Sequence, residues 1–368
     1  MQPDMLDCAT GQFALVRPGA NPRQSLRAWD AADEYLISHI QDTHKNNPIT
    51  LFNDHFGALG TALNNQAKYW ITDSYCALQA LELNQKENNQ LSKLTVSSPL
   101  DKWSSHATLG VMKLPKNLSY LHFLLQGCFK SNISTVLIAG MMKHLPKNIL
   151  NFLQRFGTVE RLPFKKKATI YQLNLKNVEK SPYPKSNTLQ GMKLISHANV
   201  FGRDKLDPGA EFLIDNITAL PSAKSVADLC CGSGILGLQY AKAQVNQSNE
   251  LNIDFFDESF MATRSAELSW LKNNINGHAN FYWEDGISNK HKGYDLIICN
   301  PPFHEEHTVG DHIAKRLFND AKQHLNKNGK LIVVGNRHLG YHVTLKSYFK
   351  HVTQISANGK FVLLSAHA

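Results

Sequence analysis

The sequence predicts an α/β protein made of two tandem domains, each with a mostly parallel sheet. Its 368 residues are enough for two domains with separate cores. In the second half, apolar strand-like runs alternate with helix-like stretches, which is typical of parallel sheets. Motifs of the second half recur at similar intervals in the first half, which indicates an internal duplication. We expect domains at residues 1–160 and 187–368, joined by a basic segment and linker at residues 161–186.

The strand-like runs of the second half are short, apolar and mostly separated by helix-like stretches. They lie at residues 225–229, 252–256, 280–283, 294–299, 330–335, 351–355 and 361–365, and helix-like stretches include residues 259–274 and 311–326. Ligands of such sheets bind at the carboxyl ends of the strands. We therefore expect Asp228, Asp257, Asp285 and Asn300 to lie along one edge.

A glycine-rich turn follows the first of these runs. Gly232, Gly234 and Gly237 match the pattern G-x-G-x-x-G of a Rossmann-like nucleotide-binding unit, although an ordinary βα turn also uses such glycines. Asp257 is placed to bind ribose hydroxyls, which NAD and S-adenosyl-L-methionine (AdoMet) both carry. Asp228, just ahead of the glycines, favours AdoMet, because a carboxylate suits a sulfonium and an ammonium better than a pyrophosphate.

The loop Asn300–His304 reads Asn-Pro-Pro-Phe-His and directly follows an apolar strand-like run. An exocyclic amine of a base is a poor nucleophile, so its methylation requires acceptors that orient the lone pair. The side chain of Asn300 and the backbone carbonyl of Pro301 can supply them, and Pro302 stiffens the loop. Phe303 can stack on a base. A rigid Pro-Pro turn with no chemical role is the alternative. Because dehydrogenases do not need such a loop, it favours AdoMet over NAD.

These motifs resemble the class I AdoMet-dependent methyltransferases. Among them, the chain is similar to the bacterial rRNA guanine-N2 methyltransferases, and more similar to the 23S-directed than to the 16S-directed members. The resemblance spans nearly the whole chain. Besides the loop, it rests on residues 27–36, 53–59, 198–203, 257–259 and 335–339.

The resemblance implies a site for AdoMet, with S-adenosyl-L-homocysteine as the product, and a clamp for the target base. Phe201 and the region of Gly209 are expected to close over the methionine end of the cofactor. Pro208 departs from the family, where an aliphatic residue is usual. Asp285 either accepts from the adenine amine or belongs to a plain Asp-Gly turn. The implied cofactor-binding residues are Phe201, Gly209, Asp228, Cys230, Gly232, Gly234, Asp257, Glu258, Asp285 and Asn300, and the implied catalytic residues are Asn300, Pro301, Pro302 and Phe303.

The first half reads as a degenerate copy of the second. We expect Asn53 to align with Asp228, Gly57 with Gly232 and Leu59 with Gly234, and we expect Asp73 to align with Asp257 and Pro115 with Pro301. A leucine side chain at the position of Gly234 would prevent close approach of a ligand. Any two α/β domains align this loosely, but the family resemblance favours a non-catalytic, RNA-positioning copy.

The net charge of +9 favours a polyanionic partner. Residues 161–186 contain seven Lys and Arg residues against one acid, Glu179. The run Lys165, Lys166 and Lys167 is our candidate for RNA-backbone contacts, and a solvated linker face is the alternative.

Other features point to a reduced, cytoplasmic protein with no membrane span. The six cysteines lack metal-site spacing, so we expect no metal. No apolar run approaches the roughly 18–20 residues of a transmembrane helix, and the start lacks the regions of a signal peptide. The oligomeric state is open, with a monomer possible.

By resemblance, the predicted activity is methyl transfer from AdoMet to the exocyclic N2 of one guanine in 23S rRNA. A 16S rRNA guanine-N2, an adenine-N6 or a protein glutamine methyltransferase would use the same loop, although the last would not need so basic a surface. A non-enzymatic ribosome-assembly factor is the alternative from another class, and the intact glycine turn and loop of the second half count against it.

Overall fold

The computed structural model describes residues 3–19, 26–90, 94–103, 107–244, 251–291, 293–302, 304–305, 308–309 and 311–367. It divides into two compact units, Met1–Pro182 and Tyr183–Ala368. Among the described residues, no helix has the length and apolarity needed to cross a membrane.

The first unit alternates strands and helices along the chain. Its elements are β1 (Asp4–Cys8), β2 (Gly11–Leu15), α1 (Ala31–Thr43), β3 (Ile49–Phe52), α2 (Ala58–Ala62), β4 (Ala67–Ile71), α3 (Tyr75–Glu87), β5 (Thr95–Ser97), β6 (Leu109–Lys113), α4 (Leu118–Lys130), β7 (Thr135–Met141), α5 (Ile149–Gln154), β8 (Gly157–Arg161) and β9 (Ala168–Leu175). Seven strands form one sheet in the order β5-β4-β3-β6-β7-β9-β8. The strands from β5 to β7 are parallel, and β9 is antiparallel to both neighbours.

The second unit begins with a hairpin and then repeats this plan. Its elements are β10 (Lys185–Leu189), β11 (Met192–Ser196), α6 (Pro208–Asp215), β12 (Ser225–Leu229), α7 (Ile235–Ala243), β13 (Asn252–Asp257), α8 (Phe260–Asn273), β14 (His278–Trp283), β15 (Tyr294–Cys299), β16 (His304–Glu305), β17 (Thr308–Val309), α9 (Asp311–His324), β18 (Leu325–Asn336), α10 (Tyr341–Lys346), β19 (His351–Ala357) and β20 (Phe361–His367). Its sheet has the order β14-β13-β12-β15-β18-β20-β19, again with one strand, β20, antiparallel to its neighbours.

The central strands of the second sheet are apolar on both faces because helices cover both. Leu296 and Ile298 of β15 pack in one buried cluster, whereas Ile297 and Cys299 pack in another on the opposite face. Such strands read as continuous apolar runs, which explains why the sequence revealed them.

The two sheets share one strand order, which confirms the prediction of two tandem Rossmann-like α/β domains. The predicted helices 259–274 and 311–326 correspond to α8 and α9, and the final three strand runs to β18, β19 and β20. The hairpin β10–β11 and the short helix α6 were not predicted.

The alignment of the two glycine turns differs from the expected one by two residues. Asn53 and Cys230 each follow a strand and have a positive φ, of 55° and 63°. Gly57 and Gly234 each cap the next helix in the left-handed conformation. Gly57 therefore corresponds to Gly234, and the expected pairing of Leu59 with Gly234 is wrong. The first unit therefore has a glycine at the position of Gly234, which is Gly57, and another at the position of Gly237, which is Gly60.

The ends of the neighbouring strands also align one residue from the expected positions. Strand pairing places Phe52 beside Ile71 and Met112 in the first sheet, as it places Leu229 beside Phe256 and Cys299 in the second. The residues that follow correspond as well. Thr72, not Asp73, therefore stands at the position of Asp257, and Lys113 stands at the position of Asn300.

The basic segment differs from the predicted linker. Strand β9, Ala168–Leu175, lies inside the first sheet, and Lys165–Lys167 form the turn between β8 and β9. Lys166 and Lys167 have positive φ values there. The two compact units separate between Pro182 and Tyr183, which leaves a shorter connection than residues 161–186.

Candidate active site

The predicted site residues of the second unit converge at the carboxyl ends of three parallel strands. Cys230 follows β12, Asp257 ends β13 and Asn300 follows β15. The pairing of Leu229 with both Phe256 and Cys299 puts these three strand ends at one level. Of the four residues predicted for one edge, Asp257 and Asn300 lie at these ends, whereas Asp228 lies within β12 and Asp285 follows the end of β14 by two residues.

The glycines of the turn have different roles. A Cβ atom on Gly232, at φ +56°, would meet nothing closer than the backbone oxygen of Phe201 at 3.8 Å. A Cβ atom on Gly234 would lie 2.9 Å from Cβ of Ala266, and one on Gly237 would lie 2.4 Å from the ring of Phe255. Gly232 therefore leaves open space above the turn, whereas Gly234 and Gly237 allow α7 to pack closely inside the unit.

Asp257 fixes the turn to the neighbouring strand. Its Oδ2 accepts from the backbone N–H of Gly232 at 2.8 Å, and its Oδ1 accepts from that of Ser259 at 2.9 Å. The following residue, Glu258, is exposed. Asp257 and Glu258, which are predicted to bind the ribose, thus lie next to the open space at Gly232.

Asp228 is buried beneath the turn, and the turn donates a hydrogen bond to one of its two carboxylate oxygens. Its Oδ2 accepts from the backbone N–H of Gly237 at 2.8 Å. Within the described part of the chain, its buried Oδ1 has no hydrogen-bond partner. The pKa of Asp228 is raised to about 7, mainly by burial. The hydrogen bond from Gly237 lowers this pKa, and the negative charge of Asp257 raises it. A buried carboxylate oxygen of this kind is suited to a cationic group.

Asn300 is held in one orientation by a residue that the sequence did not single out. Its Nδ2 donates to Oδ2 of Asp207 at 3.1 Å. Because a carboxylate only accepts, this bond requires the amide nitrogen to face Asp207. The other end of the amide, Oδ1, is buried and has no hydrogen-bond partner among the described residues. The arrangement leaves a free acceptor oxygen at the end of β15.

Asp207 reaches this position because it caps α6. Its side chain also accepts from the backbone N–H of Ala210 at 3.0 Å, and Pro208 occupies the first turn of the helix. Proline is favoured there, since its missing N–H needs no partner. The departure noted at Pro208 is thus a helix start. The sequence signal for it was Asp-Pro ahead of an apolar stretch.

Of two further predicted residues, Gly209 borders the free oxygen of Asn300 and Phe201 lies near Gly232 of the glycine turn. A Cβ atom on Gly209 would lie 3.5 Å from Oδ1 of Asn300, so a larger residue would crowd it. Phe201 lies in a turn and is 69% exposed, which is unusual for a phenylalanine. Arg203 holds this turn by donating to the hydroxyl of Tyr183 and to the backbone oxygen of Ala198.

The remaining predicted residues are less clearly placed for a ligand. Oδ1 of Asp285 accepts from Arg316, and Gly286 has a φ of +87°, as in an Asp-Gly turn. Pro301 is buried and Pro302 is exposed. Phe303 lies outside the described residues.

The environment of the site disfavours the thiolate forms of its cysteines. Contact with the thiol of Cys299, together with burial, raises the pKa of Cys230 well above its usual value. Burial likewise raises the pKa of Cys231. Across the residues that the structure describes, no three His, Cys, Asp or Glu side chains are grouped to hold a metal ion.

The equivalent edge of the first unit contains an ion-pair cluster in which Lys113 and Asp33 are buried and Asp30 is exposed. Nζ of Lys113 lies 2.7 Å from carboxylate oxygens of both Asp30 and Asp33. Asp30 caps α1 as Asp207 caps α6. A cation and two acids therefore occupy the position where the second unit has Asn300 and a free acceptor.

Comparisons with known proteins cover both units. Residues 191–365 match the methyltransferase small domain, and residues 3–177 match the RLMG N-terminal domain. The ribosomal RNA large subunit methyltransferase G of Shewanella halifaxensis is 37% identical to the chain, over 96% of this chain and 88% of that protein. The protein of the same name from Ectopseudomonas mendocina is 36% identical, over 96% of both.

A solved structure with a similar fold also spans the whole chain. It is that of the T. thermophilus 16S rRNA N2 G1207 methyltransferase (RsmC) in complex with AdoMet and guanosine. The TM-score is 0.76 at 18% sequence identity, with 100% of this chain and 98% of that chain covered. At this identity, the similarity concerns the fold alone.

Proposed function

We propose that this chain, which belongs to the ribosomal RNA large subunit methyltransferase G family, methylates the exocyclic N2 of one guanine in 23S rRNA with AdoMet as methyl donor. The observation that carries the proposal is the carboxamide of Asn300, whose nitrogen is bound to Asp207 and whose buried oxygen is free. The relatives' shared name supports the large subunit as substrate. We infer that the protein acts in the cytoplasm, where such rRNA is found.

The cofactor fits the residues around the glycine turn. The open space above Gly232 admits a ligand close to the backbone, and the spare oxygen of Asp228 suits an ammonium group. In the proposal, Asp257 and Glu258 bind the ribose, Asp285 accepts from the adenine amine, and Cys230 and Gly234 shape the turn. The exposed ring of Phe201 and the backbone at Gly209 border the methionine end. When bound, AdoMet supplies a methyl group activated by its sulfonium, and S-adenosyl-L-homocysteine is left.

The clamp orients the amine of the target base. Oδ1 of Asn300 accepts one N2–H, and the backbone carbonyl of Pro301, which has no N–H to compete with it, accepts the other. Two acceptors in fixed positions turn the N2 lone pair out of conjugation with the ring. Asp207 prevents the Asn300 amide from rotating, so the acceptor stays in place. Pro302 stiffens the loop, and Phe303 is proposed to stack on the base.

The proton released from N2 leaves to water in this proposal. Asp207 already accepts from Asn300 and Ala210, so it is not placed to serve as a base. The base must leave its stack to enter such a site, which is usual for enzymes that modify bases.

The first unit is proposed to position the rRNA through the β8–β9 turn. Lys165, Lys166 and Lys167 are all exposed there. Nζ of Lys166 lies 2.7 Å from Oε2 of Glu34, and Nζ of Lys165 lies 4.9 Å from the ring centroid of Tyr35. These contacts hold two of the three cations in place on the surface. Contacts from lysine to phosphate would add affinity without sequence preference.

The proposal is tested by methyl transfer with the purified chain. Large-subunit and small-subunit rRNA from a strain lacking the gene would be incubated with labelled AdoMet, and the nucleosides identified by mass spectrometry. We expect N2-methylguanosine in the large-subunit RNA only. N6-methyladenosine, label confined to small-subunit RNA, or no label in either RNA would overturn it. Asn300→Ala is the control that should slow transfer on the order of 100-fold or more without loss of fold.

A further inference from the structure

A second carboxamide with a free buried oxygen lies close to Asn300. Asn336 ends β18, the strand next to β15. Its Oδ1 is buried, and within the described residues it has no hydrogen-bond partner. Buried polar atoms are nearly always hydrogen-bonded, so an unpaired oxygen here calls for an explanation. The mechanism proposed above does not use it.

Asn336 and Asn300 lie on the same face of the sheet. Ile298 on β15, and Ile332 and Val334 on β18, pack in one buried cluster on this face. Side chains alternate along a strand, so the next positions on this face are Asn300 and Asn336. Cys299 pairs with Val333, which puts Asn336 two residues further along its strand than Asn300.

Phe361 connects the two carboxamides. It lies directly opposite Asn336 in the antiparallel pair β18–β20. Cε1 of Phe361 lies 3.5 Å from the position of a Cβ atom on Gly209, and Oδ1 of Asn300 lies 3.5 Å from the same point. Phe361 is therefore adjacent to Asn336 on one side and borders the pocket of Asn300 on the other.

The proposed function explains what such a carboxamide would bind. Guanine presents the N2 amine, the N1–H donor and the O6 acceptor side by side along one edge. A carboxamide offers one acceptor and one donor, which match N1–H and O6. With about 4.8 Å between neighbouring strands and about 3.3 Å of rise per residue, the backbones of Asn300 and Asn336 lie about 8 Å apart, so that both side chains can reach one base edge between them. Adenine held in the same way by its amine presents an acceptor at N1 and only a C–H beyond it, so a carboxamide can make one hydrogen bond to adenine but two to guanine.

We propose that Asn336 is a base-reading residue that binds N1–H and O6 of the target guanine while Asn300 holds N2. This inference rests on the proposed function. It also assigns to β18 the choice between guanine and adenine that the Asn-Pro-Pro-Phe loop leaves open.

The test compares guanine with 2-aminopurine, which keeps the N2 amine but lacks both N1–H and O6. Large-subunit rRNA would be assembled by splinted ligation with either base at the methylated position, and single-turnover rates measured with AdoMet. We expect the wild-type chain to prefer guanine roughly 10–100-fold, as for a bidentate base contact. Asn336→Ala and the bulkier Asn336→Leu should both bring the ratio of the two rates close to one.

The ratio separates base reading from a structural role. If either variant lowers both rates equally, or leaves the wild-type ratio intact, Asn336 does not read the base. Asn280→Ala, on the exposed edge strand β14, is the matched control and should keep the wild-type ratio. Thermal unfolding of each variant checks the fold. A wild-type chain that methylates neither RNA would instead refute the proposed function itself.

Discussion

Replacing Asp207 tests whether the orientation of Asn300 matters for methyl transfer. Asp207 accepts from Nδ2 of Asn300 at 3.1 Å and from the backbone N–H of Ala210 at 3.0 Å. In Asp207→Ala, the amide of Asn300 is free to turn its nitrogen toward the base, where it would repel the N2 donors. We expect turnover to fall while AdoMet affinity stays near its wild-type value, because Asp207 lies on the clamp side of the site.

The expected loss follows from the bond that is removed. A hydrogen bond to a charged group contributes about 1.5–3 kcal/mol. At 1.4 kcal/mol per factor of ten, this corresponds to a roughly 10–150-fold slower reaction. Loss of the helix cap should also lower the free energy of unfolding by about 0.5–2 kcal/mol. Asn300→Ala removes the acceptor itself and should slow the reaction on the order of 100-fold or more.

Single-turnover methylation and calorimetry with AdoMet measure the two effects separately. Asp207→Ser keeps a helix cap but lacks the charge and reach of the carboxylate, so it should regain stability without regaining turnover. Asn117→Ala removes the cap of α4 in the first unit and is the matched control for a lost cap alone. Wild-type turnover in both Asp207 variants would refute the idea that this residue positions Asn300.

Other predictions concern the turn, the buried charges and the RNA surface. Gly232→Ala should weaken AdoMet binding, measured by calorimetry, whereas Gly234→Ala should mainly lower the melting temperature, because its Cβ atom would clash inside the unit. Asp228 has a pKa of about 7 in the folded chain and near 3.8 otherwise. Between these values the folded state alone keeps the proton, so the free energy of unfolding should fall as pH rises from about 4 to 7. Asp228→Asn should remove the contribution of Asp228 to that slope in denaturation series, and the contribution of Asp33, whose pKa burial raises to about 6, should remain. Lys113→Met should destabilise the first unit by about 3–5 kcal/mol in chemical denaturation, since it leaves the buried carboxylate of Asp33 without its cation. Alanine at all of Lys165–Lys167 should reduce the salt dependence of RNA binding by up to about 2 in log–log slope, measured by filter binding, and an unchanged slope would exclude this turn from the interface.

The alternation of buried strands and helices made the fold predictable from sequence. Runs such as residues 294–299 are apolar because helices cover both faces of the central strands. The linker was misjudged because β9 carries polar residues among its apolar ones and follows a run of lysines. Its place between β7 and β8 depends on pairing with residues 135–141, which local composition does not reveal.

Site residues could be predicted where a sequence motif by itself indicates a chemical role. Asn300 was identified from its loop, but the residue that orients it, Asp207, lies 93 positions earlier in the chain. Asn336 was seen only as part of a family motif, because its unpaired oxygen is a property of the packed structure. When two residues are this far apart in the chain, the sequence does not show that their side chains are in contact.

The repeated fold of the first half was predicted correctly, but its alignment was not. The conformations that define the register are the positive φ values at Asn53 and Gly57, and residue identity alone did not reveal them. With the register corrected, the first turn retains Gly57 and Gly60. The differences at the site are Leu51 in place of Asp228, His55 in place of Gly232, Thr72 in place of Asp257 and Lys113 in place of Asn300.

Methylation mapping of rRNA in cells tests the central claim most directly. Ribosomal RNA from a strain lacking the gene, and from the same strain complemented with the wild-type chain or with Asn300→Ala, would be digested and mapped by mass spectrometry. The account predicts that one N2-methylguanine of the large-subunit rRNA disappears on deletion, returns with the wild-type chain and stays absent with Asn300→Ala. An unchanged set of methylated guanines in the deletion strain, or full restoration by Asn300→Ala, would contradict it.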